Sequence, residues 1–117
     1  PLPYDGMGIS YMQLGKYQEA EKAFKQAIKN QEDFSNAYVN LARLYIYLNK
    51  NLDEALRLIN QAIKTNPTAD SYDVLASIYA QKGMRAQAME AIDKAIQLAP
   101  ESEKEFYSSR KEELQKP

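Results

Sequence analysis

The sequence predicts an all-α fold, an α-solenoid of stacked antiparallel helix pairs, and three observations carry that expectation. Tyr4, Tyr38, Tyr72 and Phe106 stand 34 residues apart, and Tyr11, Tyr45 and Tyr79 repeat the interval, as do Met7, Leu41, Leu75 and Gly8, Ala42, Ala76. A fixed interval of this length marks one small unit that cannot bury its apolar face alone and stacks on copies of itself. Within each unit, ladder positions such as 4, 7, 8 and 11 share one face of an α-helix. A second apolar set follows at Ala20, Phe24, Ala27 and Ile28, with counterparts Ala55, Ile59, Ala62, Ile63 and Ala88, Ile92, Ala95, Ile96. Each unit therefore reads as a helix A followed by a helix B.

Taken in order, repeat 1 spans about 1–34, repeat 2 about 35–68 and repeat 3 about 69–102, with a last helix at about 102–116. Gly15 and Gly83 separate A from B in the first and third units, because glycine accepts the left-handed conformation that ends a helix. Asn49-Lys50-Asn51 serves in the second unit, where one extra residue lengthens the loop and Asn51 with Glu54 is placed as a capping box. Pro67 and Pro100 stop the second and third B helices, whereas Glu32 holds that place in the first unit and lets its B helix run longer. Ser102 with Glu105 fits a capping box for the last helix, whose thin apolar edge (Phe106, Tyr107, Leu114) faces the stack and whose other faces are charged. A terminal unit needs that combination of one adhesive and one soluble face.

The ladder residues are assigned to the core. Small residues at 8 and 20 let helices A and B approach closely, and large ones at 4, 11 and 24 fill the space around the crossing. The stripe Ala37, Leu41, Leu44, Leu48 should face the preceding repeat. Its counterpart Pro3, Met7, Ser10, Leu14 is less apolar, which predicts that unit one opens the array. The chain starts Pro-Leu-Pro without methionine and is expected to be a piece of something longer or a processed product.

The residues quoted for the three units resemble the tetratricopeptide repeat: Tyr4, Met7, Gly8, Tyr11, Ala20, Phe24, Ala27; then Tyr38, Leu41, Ala42, Tyr45, Ala55, Ile59, Ala62, Pro67; then Tyr72, Leu75, Ala76, Tyr79, Ala88, Ile92, Ala95, Pro100. The resemblance covers residues 3 to about 102. It implies a right-handed superhelix that works as a non-catalytic scaffold binding a protein or peptide in its concave groove. The alternative is a structural module that only stacks or self-associates.

Composition narrows the function. The 117 residues carry 15 basic and 16 acidic side chains, well mixed, which argues against a nucleic-acid surface. No cysteine and no histidine occur, so the commonest zinc ligands and the usual general base are absent, and no cofactor is expected. No glycine-rich phosphate loop, signal peptide or long apolar run is visible, so no direct membrane insertion is expected.

The concave face is the remaining candidate. The resemblance implies that helix A lines the groove with the faces the core does not use. Those positions are Leu2, Asp5, Gly6, Ile9, Met12, Gln13 in unit one; Asn36, Val39, Asn40, Arg43, Ile46, Tyr47 in unit two; and Asp70, Asp73, Val74, Ser77, Ala80, Gln81 in unit three, with Tyr107 and Lys111 added by the last helix. The peptide-binding set is Asn36, Val39, Asn40, Arg43, Tyr47, Asp73 and Ser77. Asn40 can donate and accept at once, suiting a peptide backbone. Arg43, the only basic residue among the groove positions of the three repeats, is placed to hold a carboxylate. Asp70, with Asp73 three residues on, reads first as a cap of its helix. Some members of the family clamp a chaperone's C-terminal carboxylate. Asn40 suits such a clamp, but Asp5, Ile9, Asp70 and Val74 stand where its other Lys, Asn and basic residues belong, so that ligand is not expected.

Overall fold

Seven helices follow one another in a computed structural model that describes residues 3–31 and 34–116: α1 (Tyr4–Gln13), α2 (Tyr17–Lys29), α3 (Phe34–Leu48), α4 (Leu52–Thr65), α5 (Ala69–Gln81), α6 (Arg85–Leu98) and α7 (Glu101–Gln115). Each A helix (α1, α3, α5) packs chiefly on the B helix that follows it, and α2 and α4 also touch the next A helix. The stack measures 41 × 27 × 24 Å. This is an all-α repeat solenoid.

The A-to-B turns share one geometry. Gly15 and Gly83 take φ of 76° and 78°, and Asn49 takes 51° in the second unit. Each then donates its N–H to the carbonyl three residues back (Met12, Ala80, Ile46), and the next N–H reaches Tyr11, Tyr79 or Tyr45 at 2.8–3.1 Å. Orphan carbonyls at the helix ends are thereby satisfied. The extra residue of unit two is Asn51, also left-handed at φ 53°. It offers α4 no side-chain cap, and Glu54 pairs with Arg57 instead, so the expected capping box is not formed.

Two other termini depart from expectation. The first B helix does not run on: α2 ends at Lys29 and Gln31 turns left-handed at φ 57°, with Glu32 itself outside the described residues. α7 starts at Glu101 directly after Pro100, whose fixed φ of −61° leads into the helix, so Ser102 lies inside the first turn and makes no cap.

The crossing of A and B is as tight as the small residues imply. Ala20, Ala55 and Ala88 are wholly buried, as are Phe24, Ile59 and Ile92. A Cβ placed on Gly8 would lie 2.5 Å from Phe24 Cε1. Ala37, Leu41 and Leu44 are buried as the inter-repeat stripe requires. The tyrosine ladders are less enclosed than a pure core would make them. Tyr45 is buried, but Tyr72 and Tyr79 are half-buried and line, with Leu75, a shallow cleft of about 420 Å³ between α5 and α6.

Polar contacts complete the core edges. Tyr45 Oη donates to Glu21 at 2.7 Å, and Lys25 and Lys50 stand beside the same carboxylate. Burial opposes ionisation of Glu21, yet these donors and charges hold its carboxyl below its ordinary value. Burial, with the Glu21 hydrogen bond, pushes the Tyr45 hydroxyl well above the usual phenol range. Lys82 and Arg85, where unit one has Leu14 and Tyr17, are used in polar ties: Lys82 pairs with Asp53, and Arg85 donates to the Lys116 carbonyl at 3.0 Å.

α7 corrects the predicted register. Tyr107 is 5% exposed and Leu114 half-buried against the core, but Phe106 is 59% exposed, its ring in a T-shaped contact with that of Tyr107 at a centroid distance of 5.0 Å. The reason lies in the spacing of the prolines. Pro100 follows Pro67 by 33 residues rather than 34, so Lys104, Tyr107 and Lys111 take the places of Ser71, Val74 and Ile78. Phe106 is thereby turned off the seam.

Candidate functional site: the concave face

The A helices and α7 carry the positions expected to line the groove, and polar side chains there reach sideways to the next helix. Asn40 Nδ2 donates to Asp5 at 3.1 Å, linking α3 to α1. Arg43 pairs with Asp70, linking α3 to α5. Gln81 Nε2 donates to the Ile46 carbonyl at 3.2 Å, a second link between those helices. Arg110 pairs with Asp73 and donates to Ser77 Oγ at 3.0 Å, linking α7 to α5. Neighbouring A helices bring groove positions within side-chain reach, so residues about one repeat apart in sequence meet.

The expected site residues fall out unevenly. Asn40, Arg43, Asp73 and Ser77 are drawn into this lateral ladder. Asn36 is exposed on α3. Val39 and Val74 are buried, at 8% and 3% exposure, and offer little surface to a ligand. Tyr47 is 67% exposed at the far end of α3, where its hydroxyl accepts from Tyr17 Oη at 3.2 Å and the rings lie 5.3 Å apart. That hydrogen bond is the first cause raising the Tyr17 hydroxyl above its ordinary value. In unit one, Asp5 is half-buried, Ile9 is 41% exposed, and Leu2 lies outside the described residues.

Arg43 pairs with the chain's own Asp70, and both side chains stay about half exposed. Two other expectations are corrected. Asp70 does not cap α5. Thr68 does, in a capping box with Ser71: Ser71 N–H donates to Thr68 Oγ1 and Thr68 N–H to Ser71 Oγ, each at 3.0 Å. From α7, Tyr107 is buried and Lys111 reaches away to Asp93 on α6, while the unforeseen Arg110 enters the groove. The 33-residue step that displaces Phe106 also puts Arg110 in the place of Ser77, so the signal was present in the proline spacing.

Electrostatics at this end of the groove are balanced. Burial raises the Asp73 carboxyl above its ordinary value, and Arg110 opposes that shift without cancelling it. Burial also raises the Tyr107 hydroxyl, with Asp70 and Asp73 adding to the effect.

Comparison with known proteins agrees with this architecture. The tetratricopeptide repeat family matches at residues 6–70 and again at 69–102. The chain is 34% identical over 90 residues to the BBSome complex member BBS4 of Bos taurus, covering 76% of this chain and 17% of that protein. It is 31% identical over 88 residues to the mitochondrial import receptor subunit TOM70 of Homo sapiens, covering 74% and 14%. It is 27% identical over 99 residues to the protein O-mannosyl-transferase TMTC1 of Homo sapiens, covering 84% and 11%. The chain thus spans less than a fifth of the length of each of these relatives. No described helix is long and apolar enough to cross a membrane. The repeat ladders, the shared turn geometry, the helix pairs and both matches agree: the chain belongs to the tetratricopeptide repeat family, whose repeats serve as protein-interaction scaffolds.

Proposed function

We propose that this chain is a non-catalytic docking module that takes an extended or helical peptide of a partner protein along the concave face, over Asn36, Asn40, Arg43, Tyr47, Asp73 and Ser77. One observation carries the reading. The groove side chains of α1, α3, α5 and α7 are tied to one another through Asn40–Asp5, Arg43–Asp70 and Arg110–Asp73 while Arg43 and Asp70 stay accessible. Such a surface is ordered before a ligand arrives, which lowers the entropy lost on binding. A groove of this length supports affinity of about micromolar strength, because the peptide must be ordered as it binds. The absence of histidine and cysteine from the sequence favours binding over catalysis.

The test is affinity capture with the chain and with Arg43→Glu, followed by chemical-shift mapping with a recovered partner peptide. Shifts along 36–47 and 73–81 are expected, with capture weakened by Arg43→Glu. Shifts centred on the convex B-helix face, around Lys22, Arg57 and Glu90, would refute the groove.

A structural reading, stacking or self-association without a free ligand, is favoured by the apolar exposure of α1, where Ile9 is 41% exposed and Leu14, just past the helix end, 69%. Sedimentation velocity over a wide concentration range separates the two: a docking module stays monomeric.

A further inference from the structure

We infer that the α1 end of the groove takes a lysine or arginine of the partner peptide flanked by an apolar side chain, with the cation on Asp5 and the apolar group on Ile9; this rests on the groove reading above. The argument starts from charge. The two arginines of the concave face are already committed, Arg43 to Asp70 and Arg110 to Asp73 and Ser77. An acidic ligand would have to displace one of these carboxylates and leave it unpaired beside the newcomer, a like-charge juxtaposition that disfavours binding. Asp5 differs. It accepts one hydrogen bond from the neutral amide of Asn40, and no cation reaches it among the described residues. A carboxylate has room for further donors. It is half-buried, so its charge is screened less than that of a fully exposed side chain. Among the described groove residues the unbalanced charge is therefore negative and sits at this end.

The surroundings of Asp5 fit a cation with an apolar neighbour. Ile9 lies four residues on along α1, on the same face, and is 41% exposed. The equivalent places on α3 and α5 hold Arg43 and Ser77, both engaged in polar bonds. Between them, Gly6 has nothing within 4 Å of where a Cβ would stand. The helix surface next to the carboxylate is thus open to close approach. A lysine stem lying along α1 would cover Gly6 and Ile9 with its methylenes while its ammonium met Asp5.

The experiment titrates the full chain, isotope-labelled, with three blocked peptides in a glycine–serine background: lysine between two leucines, glutamate between two leucines, and lysine between two alanines. The lysine–leucine peptide is expected to bind about fivefold more tightly than the glutamate one, with shifts centred on Asp5, Gly6 and Ile9. Asp5→Asn should abolish that preference and Ile9→Ser should weaken the lysine–leucine peptide towards the lysine–alanine one. Asn at position 5 keeps the Asn40 hydrogen bond possible, so the fold is retained. Stronger binding of the glutamate peptide within the groove, centred on Arg43 or Arg110, overturns this inference and leaves the groove reading standing. Shifts on the convex face overturn both. No binding of the lysine–leucine peptide at about 1 mM overturns the inference alone, since a natural partner captured through Arg43 would still support the groove.

Discussion

Arg43 on α3 and Asp70 on α5 are paired across the concave face, so the central cation of the groove is neutralised by the chain itself. Their side chains are 45% and 51% exposed, and pairs of that kind contribute about 0–1 kcal/mol. Arg43→Ala should therefore lower the unfolding free energy by less than about 1 kcal/mol, and by still less in high salt. Urea titrations at low and high ionic strength check this. A salt-independent loss of about 2 kcal/mol or more would mean that the pair holds the stack together rather than ordering its surface.

Gly8 should not tolerate even a methyl group. The Cβ of an alanine there would lie 2.5 Å from a Phe24 ring that is wholly buried. Overpacking of this sort costs about 1–3 kcal/mol, partly offset by the gain of about 1 kcal/mol in helix propensity. Gly6 supplies the control. Open space surrounds it, so Gly6→Ala keeps the propensity gain and should stabilise α1. Opposite shifts in urea midpoint are expected for the two variants; shifts of the same sign would contradict the crossing described here. Ala55→Leu and Ala88→Leu test the same close approach in the other repeats, since both alanines are wholly buried.

The helices and their stacking were legible because the information is local or strictly periodic. Tyr4 to Tyr72 set the interval, and Gly15, Asn49 and Gly83 set the turns, each by its own backbone preference. What the sequence concealed depends on phase and on partners. Asp70 reads in the sequence as the cap of α5, but Thr68, extended at φ −133°, starts the helix and caps it with Ser71. Asn51 looked like a cap, but its left-handed backbone turns the side chain from the helix it precedes. Arg43 was legible as a groove residue, whereas its pairing with Asp70, 27 residues away, depends on how neighbouring helices are aligned. Arg110 falls outside the 34-residue pattern because the chain takes 33 residues from Pro67 to Pro100.

That one-residue difference makes a sharp contrast within α7. Tyr107 is buried between α7 and the third repeat, and Tyr107→Ala should cost about 3 kcal/mol. Phe106 projects outward, and Phe106→Ala should change stability by no more than about 0.5 kcal/mol. Truncation after Pro100 should lower both melting temperature and solubility, because Tyr107 and Leu114 leave apolar surface behind. Thermal melts of the three variants check the order. A larger loss for Phe106→Ala than for Tyr107→Ala would restore the 34-residue register.

Two carboxylates should bend the pH dependence of stability in opposite directions. Glu21 is held below its ordinary value in the folded chain, with Tyr45, Lys25 and Lys50 outweighing its burial. Its contribution is therefore present above the unfolded value and is lost as pH falls through the folded one. Asp73 is raised, burial outweighing Arg110. Its contribution is fully present below the unfolded value and is lost as pH rises through the folded one. Glu21→Gln should cost about 1 kcal/mol at neutral pH and flatten the decline in stability between about pH 5 and pH 3. Asp73→Asn should steepen that decline, because it removes a group whose protonation favours the folded state. Urea titrations across this range, with each variant set beside the parent chain, give the two slopes directly. Slopes unchanged by Glu21→Gln would mean that the Tyr45 hydroxyl does not select the ionised carboxylate, and the hydrogen bond between them would then be incidental to folding.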